Sequence, residues 1–180
     1  MTRIVLTYED YVALPDDGKR YELHDGELSV TPAPGLRHQD VLINLTLILV
    51  PHVRAAGNGK CLIAPFDCIM SDITVVQPDL LYVEPERLRA ISERGVEGAP
   101  TLAIEILSPS TRQIDQRRKL ALYARHGVTW YWIVDPIART IEVRRLDGDA
   151  YRLVATLQGE TARALPPFDD LPLDPAAVWR

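Results

Sequence analysis

The sequence predicts a mixed α/β domain whose helices pack on the faces of one sheet. Three observations lead to this fold class. The apolar run 101–107 alternates between two faces and is bounded by turn formers, which is typical of a buried strand. Strand, helix and strand patterns follow one another with short connections over 101–135, which predicts a parallel crossover. Hairpin patterns at 21–30 and 140–157 flank this core.

Length and composition limit the classes of protein to consider. The 180 residues, 47% of them hydrophobic, predict a single domain over 1–180. The net charge of -5 disfavours nucleic-acid binding through the overall field but leaves local basic patches open. Acids come too early for a signal peptide, and the longest apolar stretch, 41–50, is far shorter than the roughly 20 residues that span a bilayer. We therefore expect a cytoplasmic protein without membrane contact, in which Cys61 and Cys68 are free thiols.

The N-terminal half begins with a short helix over 7–14, which Thr7 caps with Asp10 at the third helical position. The hairpin at 21–30 turns at His24-Asp25-Gly26. A charged segment, 84–99, is predicted as a loop with a short helix. The other elements of this half are a helix at 37–50, which could continue slightly beyond Pro51, and three strands at 60–70, 74–83 and 101–107.

The C-terminal half begins with a helix at 112–126, for which Ser110 and Gln113 form a predicted capping pair and which Gly127 closes. A strand at 129–135 follows, and its residues Trp130, Tyr131 and Trp132 are expected in the core. The remaining predicted elements are a hairpin at 140–146 and 151–157, turning at Asp147-Gly148, and a tail packed as a loop.

Two acids stand where apolar residues are expected. Glu105 lies in the middle of the strand 101–107, and Asp79 lies inside the apolar run 73–83. A buried ionised carboxylate costs several kcal/mol unless another charge pairs with it or a metal binds it. Two acids on neighbouring core strands therefore predict a divalent-cation site.

The order of elements, with Pro78-Asp79 on the second core strand and Glu105 on the third, resembles the PD-(D/E)XK nuclease superfamily. Further motifs over residues 20 to 136 are similar to the Uma-type family of restriction-endonuclease-like proteins. These motifs are Tyr21-Glu-Leu-x-Asp-Gly-Glu27, Gln77-Pro-Asp-Leu80, Glu105-Ile-Leu-Ser-Pro-Ser-Thr111, Asp115-x-x-x-Lys119, Leu120-x-x-Tyr123 and Tyr131-Trp-Ile-Val-Asp135. The resemblance implies a restriction-endonuclease-like mixed sheet that carries a metal-dependent phosphodiesterase site.

The resemblance assigns Asp79 and Glu105 as the ligands of Mg²⁺ or Mn²⁺, hard cations that prefer oxygen. The superfamily's lysine two residues after the glutamate is absent, because position 107 is Leu. The resemblance implies that the following helix supplies it, which makes Lys119 the catalytic candidate. Asp115, Lys119 and Tyr123 share one helix face at a spacing of four. That spacing is equally typical of a solvated Asp–Lys pair worth only about 0.3–0.5 kcal/mol.

Other residues are candidates for the edge of the site. The resemblance places Glu22 at the rim as a catalytic partner, with an outward-facing strand glutamate as the alternative. Ser108, Arg112 and His38 are candidate phosphate contacts. The segment 112–125 holds five basic residues against a single acid, which is typical of a phosphate-facing surface.

The sequence therefore predicts a magnesium-dependent endonuclease that acts on nucleic acid, with DNA as the expected substrate and a homodimer as the expected assembly. Three other interpretations remain open. A binding or regulatory module on the same fold would bind without metal and without Asp79. A two-carboxylate glycosidase would use the acids but would leave the basic helix unexplained. A structural protein would pair Glu105 with Arg112 or Arg118.

Overall fold

Two six-stranded sheets organise the chain, and the computed structural model describes residues 4–109 and 114–180. The helices in these ranges are α1 (Tyr8–Val12), α2 (Leu36–Ala56), α3 (Leu120–Arg125) and α4 (Pro175–Val178). A 3₁₀ turn covers Pro85–Ala90, and a π-helical turn, Ile114–Lys119, runs directly into α3. The strands are β1 (Arg20–His24), β2 (Glu27–Thr31), β3 (Lys60–Ile63), β4 (Cys68–Ser71), β5 (Thr74–Val76), β6 (Leu80–Val83), β7 (Ile91–Ser92), β8 (Gly95–Glu97), β9 (Leu102–Ile106), β10 (Trp130–Asp135), β11 (Thr140–Asp147), β12 (Ala150–Leu157), β13 (Arg163–Leu165) and β14 (Phe168–Leu173).

The first sheet has the order β2-β1-β5-β4-β8-β7, and the second has the order β12-β11-β10-β9-β6-β3. A separate hairpin joins β13 and β14. In the second sheet β9 and β10 are parallel, with Ile133 opposite Glu105, while β6 lies antiparallel to β9 on its other side. The predicted crossover and the mixed α/β class are confirmed. The prediction of one sheet is wrong.

The second sheet arises because two predicted strands are each divided in two. The predicted strand 60–70 breaks around Pro65, and the predicted strand 74–83 breaks at Pro78. Proline has no backbone N–H for a sheet ladder, so the pairing ends at these residues. Each segment then passes from one sheet to the other. Asp79 consequently lies in the bend between β5 and β6 rather than inside a strand.

The alternation of β9 divides the core between its two faces. Leu102, Ile104 and Ile106 pack with α2, whereas Ala103 and Leu107 pack on the side of α3. The apolar face of α2 repeats at helical spacing, so it covers the first of these faces. Its buried apolar residues are Val41, Leu45, Leu49 and Val53.

The ends of several elements match their sequence signals. Thr7 caps α1 and forms a capping box with Asp10, as predicted. The β1–β2 turn at Asp25-Gly26 has φ of 53° and 77°, the left-handed conformation of a two-residue hairpin turn. Helix α2 ends at Ala56 rather than near 50, since it continues through Pro51 and stops where Gly57 has a φ of 59°.

The tail differs most from its prediction as a loop. It forms β13, β14 and α4, and Asp174 caps α4 with Pro175 at its first position. The hairpin turn before the tail lies at Gly148-Asp149, one residue later than predicted.

The predictions about the buried aromatic residues and the free cysteines are confirmed. Tyr131 and Trp132 are fully buried in the core, and Trp130 is partly buried beside it. Cys61 and Cys68 are both free. Within the described ranges, each helix is too short or too polar to cross a membrane.

Candidate active site

Glu105 is a buried carboxylate on the face of β9 that α3 covers. Glu105 is only 2% exposed. Lys119 Nζ lies 2.9 Å from Oε1 of Glu105, and the hydroxyl of Tyr123 donates a hydrogen bond to the same oxygen. Burial and the negative charge of Glu105 hold the pKa of Tyr123 well above its usual value, so the phenol remains a donor. Two side chains four residues apart on one helical face thus converge on Glu105.

Lys119 joins two carboxylates in the interior of the protein. Its residue is 4% exposed, and Nζ lies 3.0 Å from Oε1 of Glu22 as well as 2.9 Å from Glu105. The interpretation of Lys119 as half of a solvated surface pair is therefore wrong, because the helix turns this face onto the sheet. Leu107 faces the same side of β9 as Glu105. The side chain of Asp115 lies outside the described part of the structure.

Glu22 lies in the interior rather than at the rim, and the outward-facing alternative is wrong. Its residue is 1% exposed on β1. Oε2 lies 3.1 Å from Nε2 of His24, and Oε1 accepts a 2.7 Å hydrogen bond from the backbone of Gln77. Burial by itself would raise the pKa of Glu22. Lys119, the bond to His24 and the charge of Arg20 outweigh that effect and hold the pKa well below its usual range.

Asp79 is held by three donors and is also buried, at 4% exposure. Oδ2 accepts from the backbone N–H of Ile106 at 2.8 Å and lies 3.0 Å from Nε2 of His38. Oδ1 accepts from Arg20 at 3.1 Å. Burial opposes ionisation, but these partners together lower the pKa of Asp79, so the group is an anion at neutral pH.

Asp79, Glu105 and Lys119 meet at one small cleft between α2, the bend before β6 and the end of β9. Ser108 is half-buried in its wall. Arg112, the third predicted phosphate contact, lies outside the described residues, as do the capping residues Ser110 and Gln113. The polar side chains that line the cleft are Arg20, Thr31, His38, Asp79, Glu105, Ser108 and Lys119.

The donor set of the cleft fits a hard divalent cation. Asp79 and Glu105 bring two carboxylates to one opening, and each carboxylate oxygen has more than one lone pair. In the ranges that the structure describes, no three His, Cys, Asp or Glu side chains form a complete ligand cage. Mg²⁺ uses one or two carboxylates and keeps several waters, so Asp79 and Glu105 are enough protein ligands for it. The Nδ1 atom of His38 is buried and has no hydrogen-bond partner among the described residues.

Sequence reasoning missed Arg20 and His24. Both lie on β1 at two residues from Glu22, so the three side chains share one face of the strand. Arg20 contacts Asp79 and lies 3.9 Å from Glu22, while His24 holds the other oxygen of Glu22. The alternation of the strand was the available signal for both residues.

The basic segment 112–125 is less available to a substrate than the sequence predicts. Arg118 forms an ion pair with Glu27 and donates to the carbonyl of His24. Arg125 pairs with Asp25 at 3.0 Å. The β1–β2 hairpin thus neutralises two of the predicted phosphate-facing cations, and Arg118 pairs with Glu27 instead of Glu105.

The second, mixed sheet and the buried carboxylates of Asp79 and Glu105 define a restriction-endonuclease-like α/β domain. The profile of the Uma2 family, described as "Putative restriction endonuclease", matches residues 8–176, and the chain belongs to this family. A crystal structure described as "a putative nuclease belonging to DUF820 from Anabaena variabilis" is similar in fold, with a TM-score of 0.78 and 20% sequence identity over 97% of each chain. No curated protein matches the sequence.

Proposed function

We propose that this protein is a metal-dependent endonuclease that hydrolyses phosphodiester bonds in DNA. One observation carries the proposal: Asp79, Glu105 and Lys119 line the same cleft. These residues come from three separate elements, and each is buried beside groups of opposite charge. Buried acids and bases that converge in a cleft are typical of active sites. Membership of the Uma2 family supports the same class of chemistry.

Asp79 and Glu105 would hold the cation. When bound, Mg²⁺ or Mn²⁺ would polarise the scissile phosphate, lower the pKa of the attacking water and neutralise charge on the leaving oxygen. Arg20 and the N–H of Ile106 fix the carboxylate of Asp79 from two sides. Tyr123 fixes that of Glu105. Both ligands are thus held in place before metal and substrate arrive, which lowers the cost of organising the site.

Lys119 would orient the water or stabilise charge on the phosphate. Its Nζ lies beside two carboxylates, which fix its position in the wall of the cleft. Glu22 lies behind it and anchors it, with His24 and the backbone of Gln77 as further supports. Ser108, which lines the same wall, would contact a phosphate oxygen. His38 holds Asp79 through Nε2, and its Nδ1 is buried.

Cleavage of supercoiled plasmid with Mg²⁺ or Mn²⁺ tests the proposal. We expect wild-type protein to nick the plasmid, EDTA to stop the reaction, and Asp79→Asn to lose it. Asp149→Asn is the matched control, because this acid is exposed in the β11–β12 turn. Circular dichroism verifies that each variant is folded. No nicking by wild type with either metal would contradict the proposal.

Binding measurements separate the proposal from the inactive module that the sequence left open. Isothermal titration with Mn²⁺ is expected to show binding to wild type and none to a double variant, Asp79→Asn with Glu105→Gln. DNA binding that is unchanged by EDTA and by the loss of Asp79, without any cleavage, would assign a binding or regulatory module.

A further inference from the structure

A second groove, separate from the active cleft, is lined by three arginines. Arg37 belongs to the first turn of α2, Arg139 to the turn between β10 and β11, and Arg180 is the last residue. All three are exposed. Asp40 and the ring of Trp179 complete the polar part of the wall. We call these residues the arginine groove.

The topology places the arginine groove at the same edge of the sheet as the active cleft. Strands β9 and β10 are parallel and adjacent, so their carboxyl ends meet at one edge. Glu105 lies near the end of β9, and the turn that carries Arg139 directly follows β10. On α2, Arg37 precedes His38, which lines the active cleft and contacts Asp79. A long substrate that crosses the cleft would therefore pass near both places.

The charges of the groove also point to an anionic ligand. The ion pairs of ranges 4–109 and 114–180 include none between these three arginines and a carboxylate, although Asp40 lies in the same wall. Arg118 and Arg125, by contrast, are paired with acids of the β1–β2 hairpin. In a chain of net charge -5, the side chains of the groove carry three positive charges and one negative charge, that of Asp40. Acidic side chains thus neutralise part of the basic surface predicted for segment 112–125, whereas the arginines of the groove keep their charge unpaired by carboxylates of the described residues.

We infer that the arginine groove binds the phosphodiester backbone of the nucleic-acid substrate alongside the active cleft. This inference rests on the proposed function and names a further contact surface for the same substrate. Arginine guanidinium groups match phosphate geometry with paired N–H donors. Such contacts hold the duplex in register without reading its sequence.

Fluorescence anisotropy with a labelled 20-base-pair DNA duplex of random sequence, in EDTA to prevent cleavage, tests the inference. The variant combines Arg139→Asn with Arg180→Gln. Asparagine suits position 139, whose φ of 52° lies in the left-handed region. Arg54→Gln is the control, because this exposed arginine lies in the last turn of α2, away from the groove. Binding is measured at several salt concentrations.

Each lost phosphate contact reduces the slope of log affinity against log salt by about 0.9. We expect the double variant to reduce the slope by about 1.8 and to weaken binding at 0.1 M salt by roughly fiftyfold. Arg54→Gln is expected to leave the slope unchanged. A duplex of RNA measured in the same way shows which backbone the groove prefers. Equal slopes for wild type and the double variant would overturn the inference.

The two proposals fail in different ways. Groove-dependent binding without plasmid nicking would contradict the nuclease and keep the groove as a nucleic-acid site. Metal-dependent nicking, together with a salt slope that the groove variants do not change, would support the nuclease proposal and contradict phosphate binding by the arginine groove. Wild-type protein that binds neither duplex at low salt would also remove the groove.

Discussion

Replacing Glu22 with Gln tests whether the buried charge network stabilises the fold. The change keeps the size of the side chain but removes the negative charge that contacts Lys119, His24 and the N–H of Gln77. Hydrogen bonds to a charged group are worth about 1.5–3 kcal/mol, and breaking a buried ion pair costs about 3–5 kcal/mol. Because Lys119 keeps Glu105 as a partner, we expect a loss of about 2–4 kcal/mol in the free energy of unfolding at pH 7.

The pH dependence of this difference gives a second, independent readout. The pKa of Glu22 is lowered in the folded state from an ordinary value of 4.5. The stabilisation is therefore fully present above the unfolded pKa and is lost as the pH falls through the folded one. Urea unfolding curves measured from pH 7 downward should show a constant difference between wild type and Glu22→Gln at neutral pH. Below pH 4.5 the difference should shrink.

Glu27→Gln is the matched control for this experiment. Glu27 lies on the same hairpin but pairs with Arg118 at the surface, where ion pairs contribute about 0–1 kcal/mol. A loss for Glu22→Gln no larger than that for Glu27→Gln would refute the reasoning. So would a difference that does not change with pH.

Three further predictions follow from the site and the core. Tyr123→Phe removes the hydrogen bond to Glu105, so we expect slower plasmid nicking and a free energy of unfolding in urea that is lower by about 1.5–3 kcal/mol. Unchanged nicking would contradict the positioning role of Tyr123. Leu49→Ala empties a fully buried position under the sheet and should cost about 2–5 kcal/mol, whereas a cost below about 1 kcal/mol would contradict the assigned core. The predicted homodimer is tested by sedimentation velocity on wild type and on Leu47→Glu, because the apolar side chain of Leu47 is 68% exposed on α2. A wild-type protein that sediments as a monomer at micromolar concentration would contradict the predicted homodimer.

The sequence was sufficient to predict the parts of the site that rest on strand periodicity. Glu105 is recognisable because a charge interrupts an alternating apolar run, and the structure places it on the face of β9 that the alternation assigns. The parallel pairing of β9 and β10 follows from the short crossover connection. Thr7 is recognisable as a cap from local spacing alone.

Other features depend on contacts between distant parts of the chain, which local patterns do not encode. Glu22 and Lys119 are 97 residues apart and meet only because α3 packs over β1 and β9. The spacing of four residues along the helix fits a buried and a solvated helix face equally well, so it could not predict that Lys119 is buried. The division into two sheets was available locally at Pro65 and Pro78, and long apolar runs on either side concealed it.

The measurement that tests the central claim most directly is the rate of plasmid nicking with Mn²⁺ for wild type, Asp79→Asn, Lys119→Gln and the double variant. If these residues form one catalytic unit, each single variant should lose activity almost completely, and the double variant should be no slower than the slower single one. Circular dichroism confirms folding of each protein. A single variant that nicks plasmid at the wild-type rate would contradict the account. So would a double variant whose loss of rate equals the product of the two single losses.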